Sequence, residues 1–244
     1  MAELVTAEVK PTLLEHLMEI RGRLVKVALF FFLVSLVCYS MAEDIFDYLA
    51  APAMGHLVYT HPVGAMMAYL KLAFVFGAML TSPYTLYHVL AFIGPAMSKA
   101  WRRGLIFTLV AGYALFALGM GFGLHYLPRA MHALLAFDRP GLRAMIDVDH
   151  YFSFVFLIIF GCALSFQMPL VLYFVARIGF IKVETMMKHW RLAVMACLIL
   201  GAMINPTPDL VSWMMVCVPL FLLYLLSLGV MTVGQRQRDR AAQA

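Results

Sequence analysis

The chain has few charged residues and lacks the motifs that mark an enzyme or metal site. Only 13% of its 244 residues are charged, against about 25% in an ordinary soluble domain. The four cysteines form no CxxC pair and the eight histidines form no HExxH motif, so no metal-ligand spacing is present. A GxSxG nucleophile motif is also missing. We therefore expect no catalysis, no metal and no other cofactor.

Long apolar stretches dominate instead. Hydrophobic residues make up 64% of the chain, and the mean hydropathy is +0.89. A helix needs about 20 apolar residues to cross a bilayer. The pattern predicts an all-α polytopic membrane protein with a single domain, residues 1–244, and six transmembrane helices at residues 24–41, 67–93, 105–127, 151–175, 192–204 and 210–233. The fifth stretch holds only about 13 residues, which predicts a thinned bilayer or a helix that lipid does not surround.

The basic residues predict how these spans are oriented. If the N-terminus is cytoplasmic, 14 of the 18 Lys and Arg fall on the cytoplasmic side. They are Lys10, Arg21, Arg23, Lys26, Lys99, Arg102, Arg103, Arg177, Lys182, Lys188, Arg191, Arg236, Arg238 and Arg240. Seven of the 13 acids fall in the outer loops, namely Glu43, Asp44, Asp47, Asp138, Asp147, Asp149 and Asp209. This bias predicts an N-in/C-in topology, so the net charge of +5 does not indicate nucleic-acid binding.

The connecting segments also carry structural signals. Apolar residues at helical spacing predict a cytoplasmic amphipathic helix at residues 11–23. A short outer helix is expected at residues 43–50, ended by Pro52. A second outer loop is expected at residues 128–150, and a cytoplasmic tail at residues 234–244.

A few polar residues lie at membrane depth or at the ends of spans. Gln167 either forms an interhelical hydrogen bond or faces a wet interior where it has a function. Lys71 lies four residues inside its span and is expected to extend to the outer interface. Thr207 is expected to cap the sixth span, with Asp209 near the positive end of its dipole. Most of the polar residues lie on the cytoplasmic face, which favours a docking function.

Five groups of residues match a known pattern in the order of the six apolar stretches. They are His16-Leu17-Met18-Glu19-Ile20-Arg21-Gly22-Arg23-Leu24; Ala51-Pro52; Tyr69-Leu70-Lys71-Leu72 with Ser82-Pro83-Tyr84 and Ala91-Phe92-Ile93-Gly94-Pro95-Ala96-Met97; Ser153-Phe154 with Ser165-Phe166-Gln167-Met168-Pro169; and Pro208-Asp209 with Pro219. On these residues the chain resembles the TatC family, the membrane receptor subunit of the twin-arginine (Tat) protein translocase. The resemblance covers residues 13–232.

The resemblance implies a concave, glove-like bundle of six helices in the bacterial plasma (inner) membrane. It implies that the chain binds the twin-arginine signal peptides of folded cargo on its cytoplasmic face. The expected partners are single-span TatA- and TatB-like proteins, membrane lipid and further copies of the chain within a complex. The family is not known for catalysis.

The resemblance also implies roles for individual residues. Glu19 matches the glutamate that pairs with the signal arginines, and the further signal-peptide-binding residues are Arg21, Phe92, Pro95 and Met97, with Glu15 as a second acidic group. Trp101 stands where the family usually has a second glutamate. It either stacks on a guanidinium or anchors its loop at the headgroups.

A second set of matched residues is expected to act in transport or partner binding. These residues are Pro52, Lys71, Gln167 and Asp209, and Gln167 replaces a polar residue that is commonly glutamate. Residues 62–66 lack the acidic residue that is usual before the second span. Two other functions remain open at this point, a six-span permease for small solutes and a divergent TatC paralogue with altered cargo specificity.

Overall fold

The computed structural model describes residues 13–53, 56–93, 101–136, 145–205 and 209–243. Within these ranges the chain is almost entirely helical. The helices are α1 (Leu13–Tyr39), α2 (Ala42–Ala50), α3 (Gly64–Ile93), α4 (Trp101–Leu135), α5 (Val148–Ser165), α6 (Met168–Ile178), α7 (Val183–Lys188), α8 (Trp190–Ile204) and α9 (Leu210–Gln243). A 3₁₀ turn, Ala51–Ala53, follows α2, and the short strands β1 (Leu57–Val58) and β2 (Ile146–Asp147) pair in parallel.

Five helical segments are long and apolar enough to cross a membrane. They are Met18–Tyr39, Gly64–Ala91, Thr108–Leu135, Val148–Ile178 and Leu210–Arg236. This confirms a mostly helical, multi-pass membrane protein. The predicted fifth span corresponds to α8, which has 15 residues and is therefore about 22 Å long. A hydrocarbon core is about 30 Å thick. Helix α8 is shorter than this and is therefore not among the five segments that are long enough to cross it.

The first helix is continuous across two segments that the sequence analysis separates. Residues 13–39 form one helix, so the expected amphipathic helix runs directly into the first span. It packs against α3, where a Cβ on Gly77 would lie 2.9 Å from the Cα of Ser35. Small residues at such a crossing let two helices approach closely in a membrane. Much of the rest of α1, including Leu24, Leu29 and Leu33, is exposed, as expected of a surface that faces lipid.

The fourth helix corrects the predicted start of the second outer loop. The loop was expected to begin at Pro128, but α4 continues through this proline to Leu135. Proline removes one backbone hydrogen bond. Leu127, Ala130 and Met131 are buried in the core on either side of it, and their packing stabilises the continued helix.

Two glycines allow α4 to lie close against α5. A Cβ on Gly119 would come within 2.8 Å of the Cα of Ala163, and one on Gly123 within 2.9 Å of the Cα of Ile159. The glycines are four residues apart and therefore lie on one face of α4. This close contact fixes the position of the fourth span relative to the third.

The predicted fourth span is two helices separated by a break. Helix α5 ends at Ser165, α6 begins at Met168, and Pro169 lies in the first turn of α6. A proline at residue 169 cannot donate to the carbonyl of Ser165 and favours the start of a new helix. Pro83 and Pro219 lie within helices that continue past them. The break therefore places Gln167 outside regular helix, at membrane depth.

Three buried tyrosines connect different helices: two of them hold the short helices α2 and α7, and the third joins α4 to α9. The hydroxyl of Tyr151 donates to the carbonyl of Leu49 at 2.6 Å, and that of Tyr126 to the carbonyl of Ser212 at 3.0 Å. Tyr224 donates in the same way to Met186 in α7. A buried tyrosine satisfies its hydroxyl while its ring fills apolar space. The predicted short helix at residues 43–50 is held in this way, as α2, with Pro52 in the turn that ends it.

Candidate functional site

The N-terminal part of α1 carries an ion pair between Glu19 and Arg23. Oε1 of Glu19 accepts from Nη2 of Arg23 at 2.6 Å and from Nε at 3.0 Å. The two residues are four apart, which puts their side chains on the same face of the helix. The Glu19 side chain is 39% exposed and that of Arg23 is 26% exposed. The carboxylate therefore holds one guanidinium and remains accessible from outside.

The surroundings of Glu19 are strongly basic. Between residues 18 and 39, α1 carries this one acid and three cations, Arg21, Arg23 and Lys26. Arg21 and Lys26 are exposed. A carboxylate accepts the planar fork of a guanidinium better than it accepts an ammonium ion. The guanidinium that Glu19 holds in the structure is that of Arg23.

Several residues expected at the signal-peptide site lie outside what the structure describes. Pro95 and Met97 fall in the undescribed segment 94–100. Glu15, Phe92 and Trp101 belong to described helices, but the positions of their side chains are not described. Their roles remain predictions.

Gln167 lines a half-open cavity between the helices. The cavity has a volume of about 280 Å³, and its walls come from α1, α3, α4, α5 and the break before α6. The Gln167 side-chain amide donates to the carbonyl of Gly112 in α4 at 3.1 Å. Thr81 also lines the cavity, but its hydroxyl donates to its own helix at Gly77. Gln167 therefore forms an interhelical hydrogen bond and also lines this cavity, whose walls are almost entirely apolar. A function of Gln167 in transport stays a prediction.

The cavity and the ion pair share one helix. Val27 and Phe31 of α1 line the cavity, and Val27 follows Glu19 by eight residues, or about 12 Å along the helix. The structure therefore places the two candidate regions next to each other along α1.

Lys71 reaches the first turn of α5, where it forms an ion pair that the sequence analysis did not predict. Its Nζ lies 2.6 Å from Oδ1 of Asp149 and donates to the Ser153 hydroxyl at 2.7 Å. Asp149 and Ser153 are one turn apart on α5, so both face α3. The lysine therefore connects α3 to α5, although its side chain remains 37% exposed.

Asp209 caps the start of α9, at the end of the bundle where Lys71 pairs with Asp149. Its Oδ2 accepts from the backbone amide of Ser212 at 2.7 Å, which satisfies one free amide of the first turn. The expected cap, Thr207, lies outside the described residues, and Asp209 performs the capping contact. Pro52 lies in the turn after α2, so its described role is structural.

One contact at this end was not predicted at all. The hydroxyl and amide of Thr60 donate to Oδ2 of Asp147 at 2.5 Å and 3.0 Å. These hydrogen bonds lower the pKa of Asp147 to about 2, so the carboxylate stays ionised at a lower pH than an ordinary aspartate does. Thr60 and Asp147 are 87 residues apart, and only the pairing of β1 with β2 brings them together. No sequence signal indicates that pairing.

The chain is similar to known proteins over most of its length. Residues 15–219 match the family model described as Sec-independent protein translocase protein (TatC). A protein of that name from Koribacter versatilis (strain Ellin345) is 31% identical over 95% of this chain and 90% of its own length. The TatCy protein of Bacillus subtilis (strain 168) is 29% identical over 96% of this chain and 93% of its own length.

A solved structure has the same fold. The crystal structure of a twin-arginine translocase receptor, TatC, superposes with a TM-score of 0.77 at 29% identity, covering 90% of this chain and 99% of that one. The family is a translocase receptor component rather than an enzyme, and the comparisons do not support the alternative of a small-solute permease. The match over residues 15–219 and the shared bundle lead to one assignment: this chain belongs to the TatC family of Sec-independent protein translocase proteins.

Proposed function

We propose that this chain binds the twin-arginine signal peptides of folded cargo at the start of α1, with Glu19 as the main acceptor. The observation that carries the proposal is the contact between Glu19 and a guanidinium group, at 2.6 Å and 3.0 Å, on an exposed part of the helix. An arginine of a signal peptide would use the same atoms. Because Trp101 stands where the family usually has a second glutamate, Glu19 carries most of the charge recognition.

Most of the remaining residues of the proposed docking surface come from the end of α3, the segment that follows it and the start of α4. Phe92, Pro95, Met97 and Trp101 are proposed to contact the peptide beside the arginines, with Arg21 and Glu15 adjusting the local charge. Aromatic residues in such a loop hold a guanidinium by its face or fix the loop at headgroup level.

The transport step is proposed to take place at the cavity. A transmembrane helix of a single-span TatA- or TatB-like partner contacts Gln167, and the short helix α8 thins the bilayer nearby. Thinning of this kind follows when a hydrophobic helix is shorter than the hydrocarbon core. Lys71, Asp209 and Pro52 hold the opposite end of the bundle, and copies of the chain assemble in the bacterial inner membrane within the Tat complex.

The proposed topology has six crossings with both termini in the cytoplasm. Alkaline phosphatase fused after Ala244 is expected to be inactive, because the enzyme folds only outside the cytoplasm. The same enzyme inserted after Phe137 is expected to be active. Activity of the fusion after Ala244 would contradict the six-span topology. As the reciprocal control, a reporter that is active only in the cytoplasm is placed at the same two positions.

Export of a folded reporter tests the proposed function in cells. The chain is expressed with its single-span partners in cells that lack their own TatC, and the reporter carries a twin-arginine signal. We expect the reporter outside the cytoplasm, and we expect it to stay inside when both arginines are changed to lysine. The proposal would be contradicted if the arginine and lysine signals gave equal export, or if the reporter were exported with neither signal.

A further inference from the structure

The acceptor for the signal arginines is already occupied. Two donors of Arg23, Nε and Nη2, converge on the single oxygen Oε1 of Glu19. The resident side chain therefore presents to this oxygen the same chemical group that the peptide would bring. The partner is supplied from the same helix, one turn away.

We propose that Arg23 is an internal competitor, which a signal arginine must displace from Glu19 before the peptide docks. The inference rests on the proposed function of Glu19. A forked contact from a new guanidinium uses both carboxylate oxygens. Because the donors of Arg23 fill Oε1, that contact cannot form while Arg23 stays in place. Once displaced, Arg23 also adds its charge to that of Arg21 and Lys26 near a dicationic ligand.

The competition sets a threshold for binding. Every ligand that uses Oε1 loses affinity by the same factor, because each one must first break the resident pair. For an exposed ion pair that factor is about two to five. A peptide that makes further contacts beyond the carboxylate can overcome the threshold, whereas a lone cation gains little. Arg23 therefore reduces occupancy by ligands that offer a single basic group.

The test measures the affinity of the purified full-length chain in detergent for a fluorescent twin-arginine signal peptide. Arg23→Gln is expected to tighten binding about two- to fivefold. Arg23→Lys is expected to fall between this variant and the original chain, because lysine keeps the charge but lacks the guanidinium fork. The matched control is Lys26→Gln, which removes the same charge from α1 and leaves the pair intact. Its gain should be smaller.

Three results would overturn the inference. Equal gains in Arg23→Gln and Lys26→Gln, with Arg23→Lys unchanged, would mean that only net charge matters. Weaker binding in Arg23→Gln would mean that Arg23 holds Glu19 in position. No change in any Arg23 variant would mean that the pair does not compete.

A Glu19→Gln background separates this inference from the function on which it rests. If Glu19→Gln lowers affinity, docking at Glu19 holds, and Arg23→Gln in that background should give no gain beyond that of Lys26→Gln. If Glu19→Gln leaves affinity unchanged, the docking proposal fails. A loss in Glu19→Gln together with unchanged Arg23 variants would reject the competitor alone.

Discussion

Replacing Glu19 with alanine is expected to remove nearly all binding of twin-arginine peptides. A hydrogen-bonded contact to a charged group contributes about 1.5–3 kcal/mol, which corresponds to a loss of affinity of about 10- to 150-fold. The change also releases Arg23, so the site becomes more positive towards a dicationic ligand. The measurement is the dissociation constant of the purified chain for a labelled signal peptide.

Glu184→Gln is the matched control for this change. Glu184 is an exposed acid on α7, on the proposed cytoplasmic face, and its loss should leave affinity within about twofold because an exposed charge contributes little by itself. Glu19→Ala should keep the bundle folded, since the side chain is 39% exposed and contacts only Arg23 among the described polar groups. Unchanged affinity in Glu19→Ala would reject the recognition model.

Replacing Gln167 with leucine is expected to reduce transport strongly and to leave peptide binding nearly intact. Leucine removes the donor to Gly112 and the polar group that faces the cavity. The hydrogen bond alone contributes about 0.6 kcal/mol to helix association, too little to prevent folding. We therefore expect normal amounts of protein in the membrane, near-normal affinity for the signal peptide, and at least about tenfold slower export of a folded reporter.

Two further variants show whether the polar group itself is needed. Ser165→Ala removes a neighbouring hydroxyl that donates to its own helix at Gly161, and it should leave export unchanged. Gln167→Glu introduces the residue that is common in the family and should retain export. If Gln167→Leu exports at the normal rate, Gln167 serves only as an interhelical hydrogen bond.

The segments with strong local signals could be predicted from the sequence. Apolar length placed the five long spans, because a run of about 20 apolar residues has few alternatives to a transmembrane helix. The short outer helix and its end at Pro52 followed from proline geometry. Glu19 and Arg23 were within reach of each other because residues four apart on a helix are neighbours.

Features that depend on tertiary contacts could not be predicted in this way. The helix continues past Pro128 because Leu127, Ala130 and Met131 are buried around it, and burial is not visible in a local pattern. Lys71 pairs with Asp149, which lies 78 residues later in the chain. Opposite charges at the ends of neighbouring spans allow such a pair, but the sequence does not specify which spans are neighbours.

The position of Gln167 depends partly on local sequence signals and partly on tertiary contacts. Its polarity within an apolar span marked it as unusual, and the sequence places it two residues before Pro169, a residue type that disturbs helices. The structure adds that the helix breaks at residues 166–167 and that the amide reaches Gly112 in α4. That partner depends on the close packing of α4 against α5, which is set by Gly119 and Ala163.

The central claim is that this chain recognises paired arginines, and one comparison of affinities tests it most directly. The purified chain is titrated with a signal peptide that carries two arginines and with the same peptide carrying two lysines. Since the ammonium group of lysine cannot reproduce the forked contact with Glu19, we predict binding at least about tenfold tighter for the arginine peptide. Equal affinity for the two peptides would contradict the account.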